Sequence, residues 1–219
     1  MADVTLLQFR YSPYNEKVRW ALDLKRVPHR RQSLLPGPHA PAALWRTGQT
    51  QTPILQLDGR WIAGSAAIVA ALDARYPTPS LRPSDAKERA RMRVIYNIAN
   101  DYILNPLFEL FEQFDPKTRN AKVVDEQLTE LSKGLKGLEH YITGGPYALG
   151  ASASLADCAL VPSMFFVNAI APAFGQTALL DATPKVKAYW AAVQADASVA
   201  KVLSELTKAL SDYMSQPRA

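Results

Sequence analysis

The chain of 219 residues predicts two unequal domains. An α+β domain of order βαβ-ββα is expected over residues 1–78, and an all-α helical domain over 85–219. Three observations carry this. Strand-like and helix-like patterns alternate as far as Arg75. The stretch Tyr76-Pro77-Thr78-Pro79-Ser80-Leu81-Arg82-Pro83 then holds too many prolines for regular structure, so 79–84 is a linker. Beyond it only helical periodicity recurs. Either domain is long enough to bury a core without disulfide staples.

In order, Val4 to Phe9 reads as a short buried strand. After Pro13, the apolar residues Val18, Ala21, Leu22 and Leu24 recur at helical spacing. Pro13 costs little in a first turn, where its missing N–H has no partner anyway. The helix is expected to end near Lys25 or Arg26, because Pro28 restricts the residue before it. Residues 30–34 suit an edge strand, and Pro36-Gly37-Pro38 a loop. Residues 54–57 and 60–63 flank Asp58-Gly59, a strong hairpin signal. Residues 65–75 are helical. A strand–helix–strand start implies parallel pairing with a helix on the sheet.

In the second domain, Asp85 with Glu88 three residues on is a capping signal. It opens a helix expected to reach about residue 114, with Pro106 kinking or breaking it. Further helices are expected at 125–142, 155–171, 184–194 and 199–213.

Composition excludes several function classes. At 48% hydrophobic and 21% charged residues, a disordered chain is ruled out. The lone Cys158 excludes an internal disulfide framework and a Cys-rich metal site. His29, His39 and His140 are scattered, so no metal is expected. The net charge of +5 is spread along the chain, and no nucleic acid partner is expected. No apolar run is read as long enough to span a membrane. The N-terminus carries no secretory pattern, which makes a cytoplasmic location the expectation.

Four local signals carry chemistry. In Tyr11-Ser12-Pro13-Tyr14-Asn15-Glu16-Lys17-Val18-Arg19, Ser12 stands at a strand-to-helix turn. There a hydroxyl either caps the helix or joins the dipole and free N–H groups in stabilising an anion such as a thiolate. In Gln51-Thr52-Pro53-Ile54, Pro53 is either a loop-ending proline or a cis one, beside which the Thr52 backbone pairs with a peptide-like ligand as an added strand. Gly64-Ser65 opens a helix, where Ser65 serves as a cap, a carboxylate holder or both. Ser154-Leu155-Ala156-Asp157 is a capping box on an apolar helix, a structural role, with Cys158 beside it as a small core residue.

In this order, and over nearly the whole chain, these signals resemble the glutathione S-transferase superfamily. Ser12-Pro13 followed by Lys17-Val18-Arg19 is similar to the active-site segment of its serine- and cysteine-type classes. Thr52-Pro53-Ile54 is similar to its cis-proline motif, and Gly150 to Asp157 to the G-x-x-x-S-x-A-D pattern of its helical domain. The resemblance implies a thioredoxin-like first domain, glutathione as co-substrate, a hydrophobic electrophile, and a homodimer; Trp61 and Tyr76 lie in the region that meets the partner in such dimers, with no role assigned to either.

It also implies roles. Ser12 hydrogen-bonds the glutathione sulfur, with Tyr11 and Tyr14 as the alternative hydroxyls. Thr52, beside Pro53, pairs through its backbone with the cysteinyl part. Ser65 holds the γ-glutamyl carboxylate. Gln51 lies at the glycine end, and Trp45 helps line that loop. Gly64 departs from the family, which usually carries an acidic residue or Gln there to accept from the γ-glutamyl ammonium. Asp101 is a candidate substitute. The electrophile is expected against the helical domain. Tyr96, Asn100, Phe108 and Phe111 lie on or near one stretch of its first helix, with Tyr213 and Met214 closing the chain. Such an aromatic stripe is more often core or dimer interface than pocket, and none of these is assigned as a site. Serine in place of cysteine favours conjugation over redox chemistry; isomerase, ether lyase and dehalogenase reactions use the same thiolate. A non-catalytic scaffold or protein-binding module is the second reading, favoured by Gly64.

Overall fold

Pairing of β1 (Val4–Gln8) with its neighbours sets the first unit. The computed structural model describes residues 4–34, 47–49 and 51–215. The loop at Pro36-Gly37-Pro38 and Trp45 lie outside these. The described residues form two compact units: those up to Leu81 together with those from Ala200 onward, and Arg82–Val199.

In the first unit, β1 is followed by α1 (Pro13–Leu24), β2 (Arg30–Ser33), β3 (Ile54–Leu57), β4 (Arg60–Ala63) and α2 (Ser65–Arg75), the βαβ-ββα order expected. The sheet runs β2-β1-β3-β4. β2 pairs parallel with β1, whereas β3 is antiparallel to both β1 and β4. β2 is exposed along its length, as an edge strand should be. Asp58 and Gly59 both adopt positive φ, 48° and 79°, the two-residue primed turn that matches strand twist. Leu7 and Ile54 face each other in the register and pack with Leu34, Trp61 and Ala63. Strand alternation turns Leu6 and Leu55 to the other face, where both are fully buried. Each such side chain contributes about 1.5–3 kcal/mol. α1 packs on α2, and α2 on β3 and β4.

The chain after α2 stays fastened to this unit. The Lys25 ammonium donates to the carbonyls of Tyr76 and Pro79, at 2.6 and 2.9 Å, and pairs with Asp73 at 2.8 Å. Asp73 in turn accepts from the Leu81 N–H.

The second unit holds α3 (Ala86–Ile98), α4 (Asn105–Glu112), α5 (Ala121–Tyr141), α6 (Leu155–Ile170) and α7 (Pro184–Val193). Asp85 caps α3 by accepting from the Glu88 N–H. The single helix expected to about residue 114 is interrupted earlier than Pro106. Residues Ala99–Leu104 widen into a π-helical turn, in which the Asn105 N–H donates to the Asn100 carbonyl five residues back; Pro106 has no N–H to offer the Tyr102 carbonyl four residues before it. α5 starts four residues before expectation, because Asn120 accepts from the N–H groups of Lys122 and Val123 and caps it. In α6 the capping box is present: the buried Asp157 carboxylate accepts from the Ala148 N–H, the Ser154 N–H and the Ser154 hydroxyl. Burial still pushes this carboxyl above its ordinary value, with those hydrogen bonds acting against the rise. Cys158 is completely buried.

One stretch, Leu155–Phe174, has the length and apolar composition of a membrane span, contrary to the sequence expectation, since Asp157 and Pro162 do not break it; 78% of its apolar 18-residue window is buried inside the protein. It is a core helix.

The last helix, α8 (Ala197–Met214), was expected to belong wholly to the helical domain. From Ala200 it groups instead with the first unit. Charge explains this: Lys201 pairs with Asp23 at 2.8 Å, and Glu205 with Arg31 and Arg19 at 2.6 and 3.3 Å.

Candidate functional site

The turn between β1 and α1 puts Ser12 at the helix N-cap with extended backbone, and Pro13 in the first turn. The Ser12 N–H donates to the Phe9 carbonyl at 3.2 Å, and the Ser12 carbonyl accepts from Asn15 and Glu16. The Ser12 hydroxyl makes no capping bond. Ser12 therefore occupies the cap position while its hydroxyl remains available at the positive end of α1.

The Thr52–Pro53 peptide is cis. Pro53 is buried, Thr52 half-buried and Gln51 exposed. The Pro53 carbonyl accepts from the Gly64 N–H at 3.1 Å, so this turn is tied to the start of α2. Gly64, not Ser65, is the N-cap of α2, with φ +87°. Ser65 is the first helical residue, where its N–H is among those with no helical partner.

A third tie was not foreseen from the sequence. The Asn15 side-chain amide donates to the Thr52 hydroxyl oxygen at 2.8 Å. Ser12, Thr52-Pro53 and Gly64-Ser65 are thus linked by hydrogen bonds through Asn15 and through Pro53. Asn15 stood inside the Ser12 segment without a role, and a partner 37 positions away leaves no local signal.

Electrostatics around the turn are dominated by buried charge on α1. Glu16, Lys17 and Arg19 are all at least 96% buried by residue exposure of 2%, 0% and 4%. Glu16 and Arg19 form an ion pair. Burial pulls the Arg19 guanidinium down to about 10, with Glu205 acting against it, so it stays cationic at neutral pH. Lys17 lies 5.0 Å from the Tyr14 ring centroid. The Tyr11 ring stacks on Tyr213 at 4.3 Å. Burial, and then Tyr213, raise the Tyr11 phenol, which holds its proton at neutral pH. Among the described residues, no group of three His, Cys, Asp or Glu gathers to hold a metal ion.

Comparison with known proteins gives this arrangement its context. Residues 6–80 match the family model for the glutathione S-transferase N-terminal domain, and residues 96–197 that for its C-terminal domain. The chain belongs to the glutathione S-transferase family. Glutathione S-transferase 1 of Zea mays is 34% identical over 168 residues, covering 74% of this chain and 77% of that protein. A probable glutathione S-transferase of Nicotiana tabacum is 27% identical over 150 residues, 65% of this chain. That match spans 64% of the tobacco protein, just under two thirds of its length. Among solved structures, the holo form of a maleyl pyruvate isomerase, described as a bacterial zeta-class glutathione S-transferase, superposes with a TM-score of 0.73. It is 26% identical, and the match covers 90% of this chain and 95% of that one. Within the glutathione S-transferase fold, the residues singled out as Ser12, Thr52, Pro53, Gly64 and Ser65 all sit in the first unit, on turns joined to one another. Gln51 adjoins them on the exposed side of its turn.

Proposed function

We propose that the protein is a glutathione transferase of the serine type. Ser12 donates its hydroxyl hydrogen to the glutathione sulfur and, with the α1 dipole, favours the thiolate. The Thr52 backbone pairs with the cysteinyl unit, and Ser65 with the N–H groups of α2 holds the γ-glutamyl carboxylate. Gln51 meets the glycine end. The thiol proton leaves to solvent, and the sulfur lone pair forms a new S–C bond to a hydrophobic electrophile, whose leaving group departs with its electron pair. Preorganised stabilisation of the anion is the main catalytic contribution. The protein works as a cytoplasmic homodimer.

The observation that carries this reading is the Ser12 hydroxyl, held at a helix N-terminus without being consumed as a cap. A hydrogen bond to a charged group contributes about 1.5–3 kcal/mol. Ser12→Ala should therefore lower kcat/KM with a chloronitrobenzene about tenfold to a hundredfold and move the thiolate ionisation in its pH profile upward. Full activity with an unshifted profile overturns the role of Ser12.

The same thiolate serves isomerisation, the reaction for which the zeta-class relative is named. A non-catalytic scaffold is the second reading, and Gly64 favours it, since glycine offers no side-chain acceptor to the γ-glutamyl ammonium. Calorimetric titration with glutathione separates them: heat of binding at millimolar ligand supports the enzyme, and its absence supports the scaffold.

A further inference from the structure

We propose that Asn15 is a positioning residue for glutathione, acting through Thr52; the assignment rests on the glutathione reading above. Asn15 is 1% exposed and sits in the first turn of α1. Its backbone N–H donates to the Ser12 carbonyl at 3.1 Å, and its side-chain amide donates to the Thr52 hydroxyl oxygen at 2.8 Å. One residue therefore holds the Ser12 turn by its main chain and the Thr52 turn by its side chain.

Stability alone does not account for an asparagine here. A buried amide is costly unless its polar atoms are bonded, and the Asn15 carbonyl oxygen has no hydrogen-bond partner among the described residues. An apolar side chain would fill the space without that cost. Positions where such local rules are broken tend to be functional.

What the bond achieves is orientation. Threonine is stiff about its first side-chain torsion, so fixing its hydroxyl also restrains the backbone that bears it. Because the Thr52 oxygen accepts from Asn15, its own hydrogen is turned away from Asn15. The Thr52 N–H and carbonyl are the groups assigned to the cysteinyl backbone of glutathione, in the manner of an added strand. Their alignment relative to Ser12 is set before the ligand arrives, which lowers the ordering cost of binding.

The effect should appear in ground-state and transition-state binding alike, hence in KM and not in kcat. The experiment measures glutathione binding by calorimetry and steady-state kinetics for the wild type, Asn15→Ala, Thr52→Val and the double variant. Asn15→Ala should raise the glutathione Kd and KM about threefold to tenfold, the span of one neutral hydrogen bond, with kcat within about twofold. Thr52→Val, which keeps the shape and removes the hydroxyl, should do the same, and the double variant should be no worse than either. An unchanged KM in Asn15→Ala, a kcat that falls as far as kcat/KM, or losses that multiply in the double variant would overturn the proposal. If Asn15→Ala does not fold, Thr52→Val alone decides by the same split between KM and kcat. A wild type that binds no glutathione at millimolar ligand sinks the glutathione reading and this proposal with it; a wild type that binds while both single variants bind equally well sinks this proposal alone.

Discussion

The Gly64 N–H donates to the Pro53 carbonyl at 3.1 Å, and Gly64 makes that bond with φ +87°. Among the described residues, no atom outside its chain neighbours lies within 4 Å of where a Cβ would stand, so the position has room for a side chain but a backbone that resists one. Gly64→Glu should therefore act in two directions. Strain at positive φ costs on the order of 1–3 kcal/mol, read as a lower urea midpoint. The new carboxylate restores an acceptor for the γ-glutamyl ammonium, and the glutathione Kd should fall up to about tenfold by calorimetry. Unchanged or weaker binding would show that another group already fills that role.

Lys25 should prove a large contributor to the stability of the first unit. Its side chain is fully buried and that of Asp73 is 10% exposed. Removing one partner of such a pair strands the other charge and costs about 3–5 kcal/mol. In Lys25→Met the carbonyls of Tyr76 and Pro79 also lose their shared donor. Equilibrium urea unfolding measures the loss; a change under about 1 kcal/mol would mean that water replaces the ammonium.

Gly134 tests packing against propensity. In an open helix Gly→Ala stabilises by about 1 kcal/mol. Here the added methyl would stand 2.6 Å from the Tyr102 carbonyl oxygen, a backbone atom that cannot swing aside. The clash should win, and Gly134→Ala should destabilise by about 1–3 kcal/mol. A rise in Tm would show that the π-helical turn carrying Tyr102 yields.

Alkaline stability should depend on Tyr147. Its hydroxyl donates to Asp196 at 2.6 Å. Burial, followed by that hydrogen bond, pushes the phenol up from 10.0 to about 12. The folded state thus holds this proton more tightly than the unfolded state. The resulting stability is fully present below pH 10 and is lost as pH rises towards 12. Urea midpoints compared at pH 9 and pH 11 should fall less in Tyr147→Phe than in the wild type.

Legibility in the sequence followed the range of the interaction. The hairpin strands and α2 have the bounds expected, because Pro53, Asp58-Gly59 and the Pro-rich stretch punctuate them locally. The start of α5 was missed because Asn120 was not read as a cap; it accepts from the N–H groups of Lys122 and Val123 and opens the helix at Ala121, four residues before the expected start at 125. Pro106 was expected to kink or break the first long helix, and the interruption is a π-helical turn over Ala99–Leu104, whose Tyr102 carbonyl lies against Gly134. The turns at Ser12, Thr52-Pro53 and Gly64-Ser65 were each legible as short motifs. What joins them was not, since the Asn15–Thr52 bond is a product of strand order. The same holds for Arg31 and Glu205, whose pairing spans 174 positions.

The returning helix α8 makes the fold discontinuous in sequence. Severing the chain after Leu81 would yield a fragment with every residue assigned to glutathione, yet without Lys201 and Glu205. Arg19 would lose Glu205, its partner against burial, and Asp23 would lose Lys201 and keep only the longer pairing with Arg31. The Tyr11 ring beside Ser12 would lose the Tyr213 ring stacked on it. The glutathione half is therefore not a detachable module: its last structural members are translated some 120 residues after its first ones end, so this half can be completed only once the intervening helical unit has been made.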